Sequence, residues 1–352
     1  MTNARVLSGL LVAVLFPVAV ACSSAGDTQT TASTTPGGST DPGGGGAQSP
    51  GTSGAPGAVD TSNPIAGIAP VKALADVGGF SGGAQWSAAL NAFLFTLPLG
   101  DGWLLKMSVD GQISEVRKGS SANGTQPIGN ALDRSGRVVT TEAKRLTRMS
   151  MADAGAGNVE VVATTFTAAG GGAQPFDSLK DVAVRGDGNM YATDPGYFAT
   201  NPVANRLYRV TPQGVVQVVE EFADIPRPNG VALSPDEKTV YVSFTSPITG
   251  QMPFVRKYPV NADGTLGTPA EFYRYAAADA EPESVTCDSG GNVYIAAKGG
   301  VDVFKADGSK IGSIPVPQKP TGVALGGGDK KMLFITTQGT QVFTTKVNVA
   351  GK

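Results

Sequence analysis

Residues 227–243 read RPNGVALSPDEKTVYVS. An Asn-Gly step, Asn229-Gly230, leads an apolar strand into a tight turn at Ser234-Pro235-Asp236, and a second apolar strand leads out of it. Turn residues flanked by apolar strands are the pattern of a β-hairpin. The phrase recurs. GNALDRSGRVVTTE, KDVAVRGDGNMYATD, ESVTCDSGGNVYIAA and TGVALGGGDKKMLFITT repeat it, and GAQWSAALNAFLFT is a weaker copy. Aligned on one position, the copies begin near residues 83, 129, 181, 230, 284 and 322, in steps of 46, 52, 49, 54 and 38. A period of this size is that of propeller blades.

Between the copies lie second hairpins: WLLKMSVDGQISEV, RLTRMSMADAGAGNVEVV, RLYRVTPQGVVQVV, FVRKYPVNADGTLGTPAEF and VDVFKADGSKIGSI. Two hairpins make a four-stranded antiparallel blade, and six blades around an axis leave no long open strand edge. The expected fold is therefore all-β, a six-bladed β-propeller. The final QVFTTKVNV is one strand short of a full blade, whereas VKALADV at 71–77 is a spare strand, so the amino-terminal strand is expected to close the last blade. Asp110-Gly111, Asp187-Gly188 and Asp307-Gly308 lack the alternating oxygen ligands of a calcium loop and read as hairpin turns.

Composition narrows the function. With 48 Gly, 24 Pro and 16% charged residues in 352, the chain is too loop-rich for a helix bundle yet long enough for one large β domain. A formal charge of -2 provides no basic stripe, which excludes a nucleic-acid partner. Histidine is absent, which removes Ser-His-Asp and Cys-His catalysis and His-ligated zinc together.

The opening MTNARVLSGLLVAVLFPVAVAC places Arg5 before an apolar run ending in small residues, the layout of a secretory signal over 1–21. AVAC resembles a bacterial lipobox with Cys22 as the lipidated residue, although Ala19 stands where Leu is usual; an ordinary signal peptide with a chance Cys is the alternative. Residues 22–68, rich in Gly, Ser, Thr and Pro, are expected to be a disordered tether with a span of roughly 35–40 Å, followed by the propeller over 69–352. These features predict an exported monomer of the bacterial cell envelope, at the outer membrane or cell surface, touching membrane only through its lipid. Cys287 is the other cysteine and is expected to be a packed core thiol.

The order and spacing of KDVAVRGDGNMYATDPGYF, RLYRVTPQG, RPNGVALSPDEKTVYVS and the 299–336 stretch resemble the senescence marker protein, gluconolactonase and luciferin-regenerating enzyme group of six-bladed propellers. The resemblance runs through residues 75–350. It implies hydrolysis of lactones or related esters with one divalent cation, calcium or zinc, held by a Glu in E-G-P-x-W, an Asn in N-D, an Asn in P-N-G and an Asp in P-D-G. Here Asn229 keeps the P-N-G position and Glu283, in Pro282-Glu283-Ser284, replaces the P-D-G aspartate. The first phrase reads Gly82-Gly83-Ala84-Gln85-Trp86, so Gly82 replaces the Glu; the second reads Ser178-Leu179-Lys180-Asp181, so Lys180 replaces the Asn. Asn229 and Glu283 are an incomplete metal set, and an ammonium about 5 Å from a divalent ion repels it by roughly 2–7 kcal/mol at dielectrics between 80 and 20. The cation is expected to bind weakly or not at all.

Two functions follow as expectations. One is a hydrolase of a lactone or related cyclic ester, with Glu283 as base and Lys180 as the group that steadies the oxyanion. The other is a non-catalytic, surface-tethered binding propeller for a sugar-like ligand or an envelope component, with Lys180 replacing the ion and paired with Glu283. An alternative for Lys180 is a side chain that snorkels to solvent. Glu142 in TTEAKRLTR and Asp194 in TDPGYF, with Tyr197 and Phe198, are candidate substrate contacts by the same resemblance; solvated loop carboxylates are the competing reading for the two acids.

Overall fold

A computed structural model describes residues 63–153, 158–197, 205–223, 226–245 and 251–352. The expected signal segment 1–21, Cys22, most of the 22–68 tether and Phe198 lie outside the described residues.

The hairpin of residues 227–243 forms as its sequence requires. Arg227–Leu233 pairs antiparallel with Thr239–Thr245, with Val231 opposite Val242 and Leu233 opposite Val240. Ser234 organises the turn: its hydroxyl donates to Asp236 Oδ1 at 2.6 Å and accepts the Thr239 amide at 3.0 Å, while Asp236 Oδ1 accepts the Lys238 amide at 3.1 Å. Such side-chain bonds offer the backbone an alternative to the ladder, which is why Ser and Asp sit here.

The second strand of this hairpin is apolar on both faces. Val240, Val242 and Phe244 pack in the cluster shared with Tyr191, Leu207 and Phe222 of the preceding blade, whereas Tyr241 joins Phe272, Val293 and Phe304 of its own and the following blade. A strand sandwiched between two neighbouring sheets reads as a continuous apolar run rather than an alternating one. Phe244 stacks on Phe254 at 4.6 Å and meets Phe222 edge-on at 5.0 Å, and its complete burial contributes roughly 1.5–3 kcal/mol.

The described residues form six such four-stranded antiparallel sheets. Blade 1 is Gly82–Ser87, Ala92–Leu97, Trp103–Ser108 and Ile113–Lys118. Blade 2 is Pro127–Leu132, Val138–Glu142, Arg145–Met149 and Glu160–Ala163. Blade 3 is Val182–Val184, Met190–Asp194, Asn205–Val210 and Val216–Phe222. Blade 4 continues from the opening hairpin with Phe254–Pro259 and Ala270–Arg274. Blade 5 is Val285–Cys287, Val293–Ala297, Gly300–Phe304 and Lys310–Pro315. Blade 6 is Pro320–Gly326, Met332–Thr337 and Gln341–Lys346, completed by Lys72–Asp76. The first strands of neighbouring blades contact one another, including those of blades 6 and 1, so the ring closes around an axis.

The closing strand is the spare amino-terminal one, with Lys72 opposite Thr344 and Asp76 opposite Gln341. Packing reaches back to residue 63, ahead of the boundary that composition suggested. Ile65 and Ile68 pack on the blade 6 cluster, and the Asn348 amide donates to Pro64 O at 2.9 Å. Gly111, Gly188 and Gly308 all have positive φ, as tight hairpin turns require. Cys287 is a buried core thiol, as expected, and burial pushes its pKa up.

Candidate functional site

The six inner strands surround a central cavity of about 200 Å³. Its lining includes Lys180, Asp181 and Asn229 near the starts of the inner strands, and Cys287, Leu325 and Lys352 toward the other end. Lys180, Asn229 and Glu283 hold the same repeat position in blades 3, 4 and 5, each one residue before the position on which the copies align. Inner-strand starts converge on the axis of a propeller, so Lys180 and Asn229 both line the cavity, and Glu283 joins them through Lys180.

The Lys180 ammonium lies 4.0 Å from Glu283 Oε2, with both side chains mostly buried. The separation is at the outer limit of an ion pair, and the Lys180 side chain, 13% exposed, is turned inward rather than to solvent. A second lysine joins it: Lys319 Nζ is 3.0 Å from Glu283 Oε1 and also pairs with Glu281. Burial alone would lower the pKa of Lys319, but the charges of Glu283 and Glu281 more than offset it and hold the ammonium above the usual lysine value. Lys319, in the blade 5 to blade 6 connection PQKP, was missed by sequence reasoning because no motif marks it.

Asn229 is buried, and its amide nitrogen donates to Tyr197 Oη at 3.1 Å and to Thr245 Oγ1 at 3.3 Å. Its Oδ1 is buried and has no hydrogen-bond partner among the described residues. An unpaired buried acceptor costs on the order of 1–3 kcal/mol, so a donor from a ligand is the natural complement. Tyr197 is thus brought to Asn229, with its ring under the Arg227 guanidinium at 5.4 Å. Tyr197 is 38% exposed overall, but desolvation of its inward hydroxyl end, reinforced by the Glu283 charge, raises the pKa of the phenol.

Asp181 is a site group that sequence reasoning did not single out. Burial pushes its carboxyl up to about 6 against the opposing pull of Lys180 and of the Val231 and Val182 amides. Those amides donate to Oδ2 at 3.1 Å and Oδ1 at 3.0 Å, so Asp181 ties the inner strands of blades 3 and 4 together.

The other two candidate acids are placed differently, and neither is a solvated loop carboxylate. Glu142 is fully buried: Oε1 receives Arg117 Nη2 at 2.7 Å and the Thr147 hydroxyl at 3.0 Å, and Oε2 receives Arg145 Nε. Asp194 is also fully buried and accepts the amides of Asp177 at 2.8 Å and Ser178 at 2.6 Å, with the Tyr208 hydroxyl at 3.3 Å. Burial raises the Asp194 pKa despite these bonds. Neither acid is among the residues lining the central cavity. Asp194 instead shapes the 177–178 loop that leads to Lys180.

The donor chemistry does not suit a divalent ion. Both oxygens of Glu283 face ammonium groups, and at the two other positions where the resemblance implies ligands stand Lys180, a cation, and Gly82, which has no donor side chain. Asn229 Oδ1 is left as one neutral oxygen, where a hard cation takes six to eight. No group of three or more His, Cys, Asp or Glu side chains among the described residues is placed to hold a metal.

Comparison with known proteins places this geometry. A profile of the SMP-30/Gluconolactonase/LRE-like region matches residues 83–339. A gluconolactonase of Zymomonas mobilis is 31% identical over 176 residues, 46% of this chain and 48% of the relative. A pentonolactonase of Haloferax volcanii is 31% identical over 148 residues, 41% of this chain and 48% of the relative. The chain thus spans about half the length of the curated relatives it matches. Among solved structures, a gluconolactonase of Xanthomonas campestris superposes with a TM-score of 0.67 at 25% identity, covering 82% of this chain and 93% of that one. A calcium-binding regucalcin of Agrobacterium tumefaciens, at TM-score 0.64 and 19% identity over 81% of this chain and 96% of that one, shares the fold. The chain belongs to the SMP-30/gluconolactonase/LRE-like family.

Proposed function

We propose that this protein hydrolyses a lactone or related cyclic ester at the mouth of the central cavity, with the Lys180 ammonium, backed by Lys319, standing where relatives hold a divalent cation. On this reading any such cation binds weakly or not at all. The observation that carries the reading is Glu283 between Lys180 at 4.0 Å and Lys319 at 3.0 Å, with Asn229, at the same repeat position of the preceding blade, leaving its buried Oδ1 without a partner among the described residues.

The chemistry follows from the groups. Water attacks the lactone carbonyl carbon while Glu283 takes its proton, and negative charge builds on the carbonyl oxygen. A Lys180 ammonium aimed at that oxygen stabilises the charge as it develops. The ring C–O bond then breaks, its oxygen takes up a proton, and a hydroxy acid leaves. Asn229 Oδ1 accepts a hydrogen bond from a ligand hydroxyl, with Tyr197 beside it.

One observation favours a second reading, a non-catalytic binding propeller. Both Glu283 oxygens face ammonium groups, which leaves neither carboxylate oxygen directed at an attacking water. The ligand of that form is a sugar-like molecule or an envelope component. The anchor at Cys22 and the place in the bacterial envelope belong to the proposal too, and rest on the sequence of residues 1–22. A Cys22→Ser variant that stays in the membrane fraction would refute the anchor.

The test is hydrolysis of glucono-1,5-lactone by EDTA-treated full-length protein. Turnover that drops at least about a hundredfold in both Lys180→Met and Glu283→Gln supports the hydrolase. Saturable binding without turnover supports the binder. Turnover that depends on added calcium overturns the role given to Lys180.

A further inference from the structure

The second strand of each blade carries a small residue at one repeated position: Thr96, Thr141, Thr193, Ser243, Ala296 and Thr336. Five of the six bear a hydroxyl. In blades 2, 3 and 4 that hydroxyl accepts an amide from its own inner strand: Gly129 at 2.8 Å, Asp181 at 3.1 Å and Gly230 at 2.9 Å. The same hydroxyl donates across the blade boundary. Thr141 Oγ1 reaches Lys180 O at 3.0 Å, Thr193 Oγ1 reaches Asn229 O at 2.6 Å, and Ser243 Oγ reaches Glu283 O. Thr96 does the same for Ile128 O at 2.7 Å, and Thr336 works through Thr321, whose hydroxyl lies 3.2 Å away and donates to Ser81 O.

We propose that Thr141, Thr193 and Ser243 are positioning residues, each fixing the backbone of one site residue in the next blade: Lys180, Asn229 and Glu283 respectively. The inference rests on the reading that those three form the site. Each hydroxyl is buried, so it has no water to fall back on, and its loss leaves a buried amide and a buried carbonyl short of a partner. The carbonyl it holds belongs to the residue whose side chain carries the chemistry. A shift of that carbonyl is a shift of the Cα from which the ammonium, amide or carboxylate hangs. The ring itself tolerates a missing latch: blade 5 has Ala296, and the corresponding residue of blade 6 is Thr321 rather than a charged or amide group. Closure of the propeller alone therefore does not require a hydroxyl in every blade.

The experiment measures placement separately from turnover. Full-length wild type and the variants Thr141→Val, Thr141→Ser, Ser243→Ala and Thr96→Val are treated with trinitrobenzenesulfonate, and the labelling rate of Lys180 is read by peptide mass spectrometry against exposed Lys298. A lost buried hydrogen bond corresponds to about two- to tenfold in an equilibrium, so Thr141→Val should raise Lys180 labelling about threefold or more, while Thr141→Ser stays near wild type. Ser243→Ala should raise labelling at both Lys180 and Lys319, since it moves the carboxylate they share, and it serves if Thr141→Val does not fold. Unchanged Lys180 labelling in folded Thr141→Val or Ser243→Ala overturns the proposal. So does an equal rise in Thr96→Val, whose latched residue is Ile128, because that would be general loosening. Hydrolysis of glucono-1,5-lactone is followed in parallel. A wild type without turnover removes the hydrolase reading but leaves the labelling contrast to decide the latches.

Discussion

Changing Gly82 to Glu and Lys180 to Asn together should make this protein bind calcium. The double change removes an ammonium whose Nζ lies 4.0 Å from Glu283 Oε2 and adds a second carboxylate to the ring of inner-strand starts. The structure has room for it. A Cβ at residue 82 meets only Thr96 Oγ1 at 3.9 Å and Phe80 Cε1 at 4.0 Å, both ordinary contacts. Taking away one positive charge about 5 Å from a divalent ion relieves roughly 2–7 kcal/mol for dielectrics between 80 and 20. The low end already exceeds tenfold in affinity at about 1.4 kcal/mol per decade. Lys319 remains 3.0 Å from Glu283 in the double variant, so a third change, Lys319→Gln, should tighten binding again. Isothermal titration of EDTA-stripped protein with calcium chloride measures all three proteins. If the wild type binds calcium as tightly as the double variant, the argument that two ammonium groups occupy the cation's place is wrong.

Other consequences concern single groups. Asp181 has its folded pKa raised to about 6 from an unfolded 3.8, so its contribution to stability is fully present below pH 3.8 and is lost as pH rises through 6. The stability of wild type relative to Asp181→Asn should therefore fall by about 3 kcal/mol between pH 3.5 and pH 7.5 in denaturant titrations; a rise would contradict the burial argument. Glu142→Ala strands the buried Arg117 without its partner and should destabilise the folded state by about 3–5 kcal/mol, with Lys180 labelling unchanged. An effect on ligand affinity without loss of stability would restore Glu142 as a substrate contact. Tyr197→Phe deletes the acceptor of the Asn229 amide and should weaken glucono-1,5-lactone binding about two- to tenfold while leaving the melting curve in place.

Much of the fold could be read from sequence because its signals are local and repeated. Strand, turn and strand recur six times, each turn carries its own Gly, Ser, Asp or, in blade 1, Asn91, and the surplus strand at 71–77 matches the deficit after residue 346. The site was legible where a residue falls on a repeated phrase: Lys180, Asn229 and Glu283 share one position in three blades, the first two lining one cavity and Glu283 reaching Lys180 beside it. Lys319 falls on no phrase, and it reaches Glu283 only because blade 6 docks beside blade 5. Glu142 and Asp194 look in sequence like any strand-end acids. Their burial, and the arginines and amides that claim them, exist only once neighbouring strands and loops assemble. The repeated Thr or Ser stands in five of the six copies, yet its bonds cross blade boundaries. Periodicity along one chain therefore determined which strands form and in what order, because the hydrogen bonds within a hairpin join residues close in sequence. Which charges pair, which are buried and which carbonyls are held was decided by the tertiary structure, because those energies depend on distances between blades.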